Sequence, residues 1–468
     1  MANAQPYTTV RYAKDVFQDS LITGIPQIVT TKNVGRKVIK TLVLCLCLIG
    51  FIYQTTEFMK IFWKYPTVLD IDVEYPEIIE SPAITFCNLN GIKRSHYCDK
   101  YPEHCISPEN KTAFCSEFPE ICKRQENGGL ELDVQFPTGD GMVFEQTTTV
   151  EDLDEMGHSS SDILKHCKRI AFDGYSYIEC SWDTVIRMPM SDGNTGYRNC
   201  YTLFSSVTSS KLKQHVLPVP KRKEPLFHMV LEMEPDEYFR PDRQVGVIVA
   251  IHSPNNIINP FYDGFVVKPG RMYSVHLKVV EERLLPFPYE TRCKDYSSLW
   301  LARGRKGPLS QEMCLGECVY NASMKLCNCV IPNILYYHEE RVCTEDEMDC
   351  FDFNLTECYN YCHQPCDFTD FEYDVQERKL ENNEARDLDD LYDKNAMTKH
   401  MAVVLIFLKR PEIIIYKHRP QYEDIEVFSF MGGYVGMWLG VSLIAVFDFL
   451  ESVVLICYFW MQRRLKIR

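Results

Sequence analysis

The chain of 468 residues is short of long hydrophobic runs. Only two stretches stay apolar over a length that could cross a membrane, about Val38 to Trp63 and Val427 to Trp460. A mean hydropathy of −0.22 agrees: most of the chain is built for water, and any membrane portion is confined to short segments. A third apolar region, Ala402 to Leu408 and Glu412 to Tyr416, is interrupted by Lys409-Arg410-Pro411 and reads as the two strands of a hairpin. The chain also lacks an internal repeat. No nucleophile–base or phosphate-cradling motif stands out, so an enzyme is disfavoured. Neither a cofactor, a bound metal nor a nucleic-acid partner is expected.

The flanking charge orients the two spans. Arg36, Lys37 and Lys40 precede the first, and Arg463, Arg464, Lys466 and Arg468 follow the second, so the positive-inside rule puts both termini in the cytoplasm. The first span has no small-residue cleavage site after it, only Glu57, Lys60 and Lys64, and it starts late for a signal peptide. It reads as a retained anchor. The expected organisation is a cytoplasmic segment (1–37), a first transmembrane helix (38–63), a large extracellular domain (64–426), a second transmembrane helix (427–460) and a cytoplasmic tail (461–468).

Cysteine is plentiful. All but three of the 21 cysteines fall between the spans, an even number in an oxidising compartment, which implies a disulfide framework; Cys45, Cys47 and Cys457 lie in the spans as apolar filler. Zinc binding at Cys327-x-Cys329 is the weaker reading. All three N-x-S/T sequons, at Asn110, Asn321 and Asn354, also fall in this loop and mark a glycoprotein. The net charge of −15 belongs to the same region, with acids at Glu151, Asp152, Asp154 and Glu155 and again from Asp367 to Asp393. Most of these read as a solvated surface; an acidic vestibule that concentrates cations is the functional alternative.

Between the spans, Val68, Ile71 and Val73 suggest a strand, and the region around Cys98, Cys105, Cys115 and Cys122 a stapled helical excursion. Phe227 to Met233, Val245 to His252 and Tyr273 to Val280 read as strands, with turns at Gly264 and Pro269-Gly270. Gln311 to Lys325 has helical spacing within the densest cysteine region. The fold class is therefore a membrane protein whose two transmembrane helices flank a large, disulfide-rich α+β extracellular domain.

The second span carries the chemistry. Gly440-Val441-Ser442 sits in its middle, and Asp448 and Glu451 lie beyond, three apart and hence on one helix face. Intramembrane acids are costly unless they face water or a partner, so they point to an ion path. Glycine beside a small hydroxyl residue lets backbones approach closely or lets a helix loosen; helix packing alone is the plainer explanation for Gly440. From Val427 to Trp460 one straight helix would be about 51 Å long, against a hydrocarbon core of roughly 30 Å. It must tilt, protrude or break.

The ordered motifs resemble the epithelial sodium channel/degenerin superfamily, which includes acid-sensing and peptide-gated sodium channels. Ser81-Pro-Ala-Ile-Thr-Phe-Cys87-Asn-Leu-Asn90, Val249-Ala-Ile-His-Ser253, Leu285-Pro-Phe-Pro-Tyr289 and Gly440-Val441-Ser442 look like signatures of that family, in its order. The resemblance implies a plasma-membrane channel, a homotrimer or heterotrimer with related subunits, amiloride-sensitive and passing sodium, gated or modulated through the extracellular domain. It implies a break at Gly440-Val441-Ser442 that forms a selectivity filter, inner pore acids at Asp448 and Glu451, a gating (degenerin) position at Ser429 followed by Gly432-Gly433, and Gly24 in the cytoplasmic gating motif.

The resemblance also implies bridges Cys87–Cys200, Cys167–Cys180, Cys293–Cys366, Cys314–Cys362, Cys318–Cys358, Cys327–Cys350 and Cys329–Cys343. Pairing among Cys98, Cys105, Cys115 and Cys122 stays open among three connectivities. Tyr289 is expected near Tyr65 at the base of the first span.

Several family features are missing. Thr23 stands where the family's cytoplasmic histidine precedes Gly24. Lys64-Tyr65-Pro66 replaces the acid-sensing channels' histidine pair, and Phe430 replaces their outer-pore acid. Val441 is bulkier than the usual alanine or serine. The gating stimulus is left open among an extracellular peptide, protons, mechanical force and constitutive opening. A two-span adhesion or ligand receptor is the alternative outside the class, and it would need no acids beyond a central glycine–serine pair.

Overall fold

The computed structural model describes residues 28, 30–118, 121–124, 130–131, 135–139, 143–144, 148–181, 185–192, 196–207, 215–220, 222–343, 345–380 and 400–465. The chain divides into two compact units. The smaller comprises residues up to Val68, Pro288–Glu290, and Arg419 onward; the larger comprises Leu69–Phe287 and Thr291–His418.

In the smaller unit, a 29-residue helix spans Val34–Phe62. Asn33 caps it by accepting from the backbone N–H of Gly35 at 3.0 Å. Among the described residues it is the one helix long and apolar enough to cross a membrane. It begins at Val34, four residues before the apolar run, where the Asn33 side chain satisfies the first backbone N–H groups of the helix. Two further helices, Asp424–Leu439 and Leu443–Leu465, follow one another with a break between them.

The larger unit is built on two sheets. One has seven strands, ordered 367–379, 271–283, 401–420, 227–232, 164–170 and 177–179, with 67–74 also paired to 401–420. Arg271–Arg283 runs parallel to Met401–Pro420 and antiparallel to Asp367–Lys379. The second sheet has five antiparallel strands, ordered 186–190, 198–203, 83–88, 247–252 and 265–267. Arg271–Arg283 alternates as a half-buried strand must: Tyr273, Val275, Leu277 and Val279 are buried, and Ser274, His276 and Lys278 less so. Ala83–Asn88 and Val247–His252 are buried throughout, and side chains from both sheets share one core around Phe86, Leu203, Phe227, Val249 and Val404.

The expected hairpin between Ala402 and Tyr416 does not form. Met401–Pro420 is one continuous strand. Lys409-Arg410-Pro411 is absorbed as an irregularity: pairing jumps from Leu277↔Leu408 to Val279↔Ile413. The triplet lacks the residues that accept positive φ in a tight turn, so it bulges rather than reverses the chain.

Nine disulfides staple the larger unit. Cys87–Cys200 joins directly opposed positions of neighbouring strands. Cys98–Cys105 and Cys115–Cys122 each close a short local loop, and Cys167–Cys180 ties the middle of strand 164–170 to the residue after strand 177–179. The other five are Cys293–Cys366, Cys314–Cys362, Cys318–Cys358, Cys327–Cys350 and Cys329–Cys343. Helix Gln311–Cys327 puts Cys314 and Cys318 one turn apart on one face, and Cys358 and Cys362 are spaced likewise, so the rungs stack as a ladder.

Candidate ion pathway

The break falls on Gly440-Val441-Ser442. Gly440 ends the preceding helix at φ 61°, ψ 24°, and its N–H donates to Gly436 O at 3.0 Å. This left-handed conformation is open to glycine without a Cβ penalty. Ser442 starts the next helix: its Oγ accepts from the N–H of Ala445 at 3.2 Å. Gly440 and Ser442 are exposed. The local chemistry thus stops one apolar helix and starts another, with Gly440-Val441-Ser442 between them.

Glu451 is exposed on the helix after the break. Asp448 lies on the same helix, but its side chain is outside the described ones, as are those of Arg463 and Arg464. Gly24, Lys466 and Arg468 lie outside the described residues.

Before the break, Ser429 is exposed and its Oγ donates to Ile425 O at 2.9 Å. It lines an open groove of about 600 Å³ with Gln54, Phe430, Gly433 and Tyr434. A Cβ added at Gly432, Gly433 or Gly436 would meet nothing within 4 Å. Ser429 and these glycines therefore form an uncovered stripe of small residues at helical spacing.

The other face of this helix packs on Val34–Phe62. Trp438 Nε1 donates to Gln54 Oε1 at 2.7 Å. Gly50 makes room for the indole, since a Cβ there would lie 2.6 Å from a ring carbon. Phe58 is buried among Tyr422, Phe430 and Tyr434 at centroid distances of 5.4, 5.1 and 6.1 Å. The sequence alone singles out neither Trp438 nor Gly50. A tryptophan and a glutamine within otherwise apolar segments were the signal available, because each brings a polar hydrogen that needs a partner. Glu57 forms a 2.7 Å ion pair with Lys60.

Tyr65 holds φ 50°, rare for a bulky residue, and its ring meets Tyr289 edge-on at 5.6 Å. Residues 288–290 interrupt the larger unit in sequence yet belong to the smaller one.

The other signature residues serve the fold. Thr85 Oγ1 meets Thr202 Oγ1 at 2.7 Å and His252 Nε2 at 2.8 Å inside the core. Burial pushes His252 down to about 4, so it is neutral at physiological pH. Asn88 Oδ1 accepts from Tyr238 Oη at 2.8 Å, and Asn90 Nδ2 donates to Glu237 O at 2.8 Å. Asn110, Asn321 and Asn354 are all exposed. Cys327 and Cys329 are both bridged, which leaves no thiolate pair for zinc.

The described residues thus hold a long apolar helix, a disulfide-laced α+β unit and two further apolar helices separated by a break, the second carrying Asp448 and Glu451. Comparison with known proteins specifies the class: residues 16–452 match the family described as amiloride-sensitive sodium channel, and the chain belongs to that family, within the epithelial sodium channel/degenerin superfamily. Acid-sensing ion channel 4 of Rattus norvegicus is 22% identical over 445 residues, covering 89% of this chain and 74% of that protein. Acid-sensing ion channel 1A of Danio rerio is 23% identical, over 93% of this chain and 86% of its own length. The FMRFamide-activated amiloride-sensitive sodium channel of Cornu aspersum is 21% identical, over 96% and 84%. A cryo-EM structure of a proton-activated chloride channel aligns over 90% of this chain and 98% of its own, at 7% identity and a TM-score of 0.30, too slight to carry an inference.

Proposed function

We propose that the chain forms a trimeric plasma-membrane channel that prefers sodium, is blocked by amiloride and is gated or modulated through its extracellular domain. The observation that carries this reading is the helix break at Gly440-Val441-Ser442, with Glu451 and Asp448 on the helix that follows. Three chains would bring the carbonyls of these residues together around an axis, where they replace part of a cation's hydration shell. A ring of acids from Glu451 and Asp448 on the cytoplasmic side would draw cations through. The uncovered stripe of Ser429, Gly432, Gly433 and Gly436 supports close approach of three such helices.

In this reading residues 38–63 and 427–460 span the membrane, 64–426 is extracellular, and 1–37 and 461–468 are cytoplasmic, with Gly24 in the inner gating motif. The basic flanks and the exposed sequons at Asn110, Asn321 and Asn354 support that orientation. Ser429 is the gating position: a small side chain there lets the pore close. The Tyr65–Tyr289 contact offers a mechanical link between movements of the extracellular domain and the pore.

Expression of the chain alone in oocytes tests the proposal. The expected result is an amiloride-blocked sodium current, evoked by an extracellular peptide or acid or present at rest when Ser429 is made bulky. Silence of a surface-expressed Ser429→Phe variant would overturn the homomeric reading. Current restored by a related subunit would then identify a heterotrimer. Peptide gating is the second reading to test, because an FMRFamide-activated channel is among the relatives while the acid-sensing channels' outer-pore acid is Phe430 here.

A further inference from the structure

Glu234 lies two residues beyond strand Phe227–Glu232, holds φ 43° and ψ 65°, and precedes Pro235. A residue with a Cβ rarely takes this left-handed conformation, and a following proline pushes its neighbour towards extended backbone instead. Such a conformation persists only where the surrounding contacts over-determine it.

The contacts that hold it are ionic. Lys93 Nζ lies 3.1 Å from Glu234 Oε2 and 3.0 Å from Asp162 Oδ2, and His158, which is buried, donates from Nδ1 to Glu234 Oε2 at 3.0 Å. The donor atoms of His158, Asp162 and Glu234 lie within 4.8 Å of one another, and the Lys93 ammonium is the cation that the two carboxylates share. Burial opposes each charge, but the partners prevail. Asp162 and Glu234 raise the Lys93 ammonium, Ser159 and Lys93 hold Asp162 down at about 2, and His158 and Lys93 lower Glu234.

The bridge joins three elements of the larger unit. Asp162 lies in helix Ser160–Ile163, which leads straight into strand Leu164–Ile170, and that strand pairs with Phe227–Glu232. Lys93 is the N-cap residue of helix Arg94–Lys100, which opens the region stapled by Cys98–Cys105; its side chain makes no capping bond and reaches the bridge instead. With Glu234 left-handed, the residues after it lie against the first turn of that helix. Asp236 O accepts from Arg94 Nε at 2.8 Å, and Glu237 Oε2 accepts from the Ser95 N–H at 2.9 Å.

We propose that Glu234 is a charge-held latch. Its bridge to Lys93 and His158 keeps the backbone left-handed; when the bridge opens, residues 234–237 relax towards extended backbone and helix Arg94–Lys100 comes free of them, while both sheets stay paired. Movement of the region stapled by Cys98–Cys105 is thereby coupled to strand Phe227–Glu232 through one ionic bridge. The latch belongs to the larger unit and holds whether or not the chain conducts.

Hydrogen exchange of the purified full-length chain in detergent, read by mass spectrometry, tests it. In Lys93→Met, exchange in 94–100 and 235–238 should rise about tenfold or more, while 247–252 and 271–283 keep their wild-type rates. Glu234→Gly and Glu234→Ala both remove the bridge, but only glycine accepts positive φ without strain. Exchange in 94–100 and 235–238 should therefore be several-fold slower in the glycine variant than in the alanine variant, the reverse of the order that backbone entropy alone would give. Unchanged exchange in Lys93→Met would show the bridge to be idle. A glycine variant that exchanges as fast as the alanine variant, or faster, would show that no strain is held. Faster exchange throughout both sheets would make the cluster part of the core rather than a latch. Any of these three results would overturn the proposal.

Discussion

Trp438 and Gln54, 384 residues apart in sequence, meet through a 2.7 Å hydrogen bond at an otherwise apolar helix seam. It fastens Asp424–Leu439 to Val34–Phe62 at the level of Gly50, whose missing side chain admits the indole.

The bond should contribute measurably to stability. In a double-mutant cycle of Gln54→Leu and Trp438→Phe, thermal unfolding in detergent should report a coupling of about 0.6–1.7 kcal/mol. Gly50→Val should cost about 1–3 kcal/mol by overpacking against the indole. A cycle that sums to zero would show that the bond is geometrically present but energetically idle.

Ser429 lies on the exposed small-residue stripe. Replacing it with Phe should raise resting current at unchanged surface expression, because the stripe can no longer close on an axis. Gly436→Leu should act in the same direction. Two-electrode recording with surface biotinylation checks both, and unaltered resting current in the Phe variant would remove Ser429 from the gate.

Gly440 requires positive φ. Gly440→Ala should cost roughly 1–2 kcal/mol locally and shift the sodium-to-potassium permeability ratio. Glu451→Gln should instead lower single-channel conductance with little change in that ratio, since a ring of acids concentrates cations without choosing among them. Bi-ionic reversal potentials and single-channel recordings separate the two effects.

Acid should weaken the larger unit through its buried histidines. Burial, and then the neighbouring charges of Lys168 and His166, push His228 down to about 4. Its folded value lies below the ordinary one near 6.5, so the stability it contributes is present above that value and is lost as pH falls toward 4. His252 acts in the same direction. The thermal midpoint should fall between pH 7 and 4.5, and less steeply for His228→Phe, which keeps a ring against Tyr177. An identical slope in that variant would assign the acid sensitivity elsewhere.

How far the sequence carries depends on the range of the interaction. The strand Arg271–Arg283 was visible because the alternation of apolar and polar residues is a local signal. Helix Gln311–Cys327 was visible for the same reason. The strand Met401–Pro420 was misread because Lys409-Arg410-Pro411 looks like punctuation, whereas pairing with Arg271–Arg283 along its length overrides it. The four cysteines from Cys98 to Cys122 allowed three pairings, and only the local helices and turns brought Cys98 to Cys105 and Cys115 to Cys122.

By itself, the sequence determined that two apolar segments enclose a large cysteine-rich region, which family it joins, and that a glycine and acids within the second apolar segment deserve a functional reading. Those properties reside in composition, order and short motifs. The tertiary structure decided that Ser429 and the glycines after it face open space while Trp438 turns to Gln54, and that Phe58 is buried among Tyr422, Phe430 and Tyr434. Each depends on which side chains meet across long sequence separations, and no local pattern encodes that.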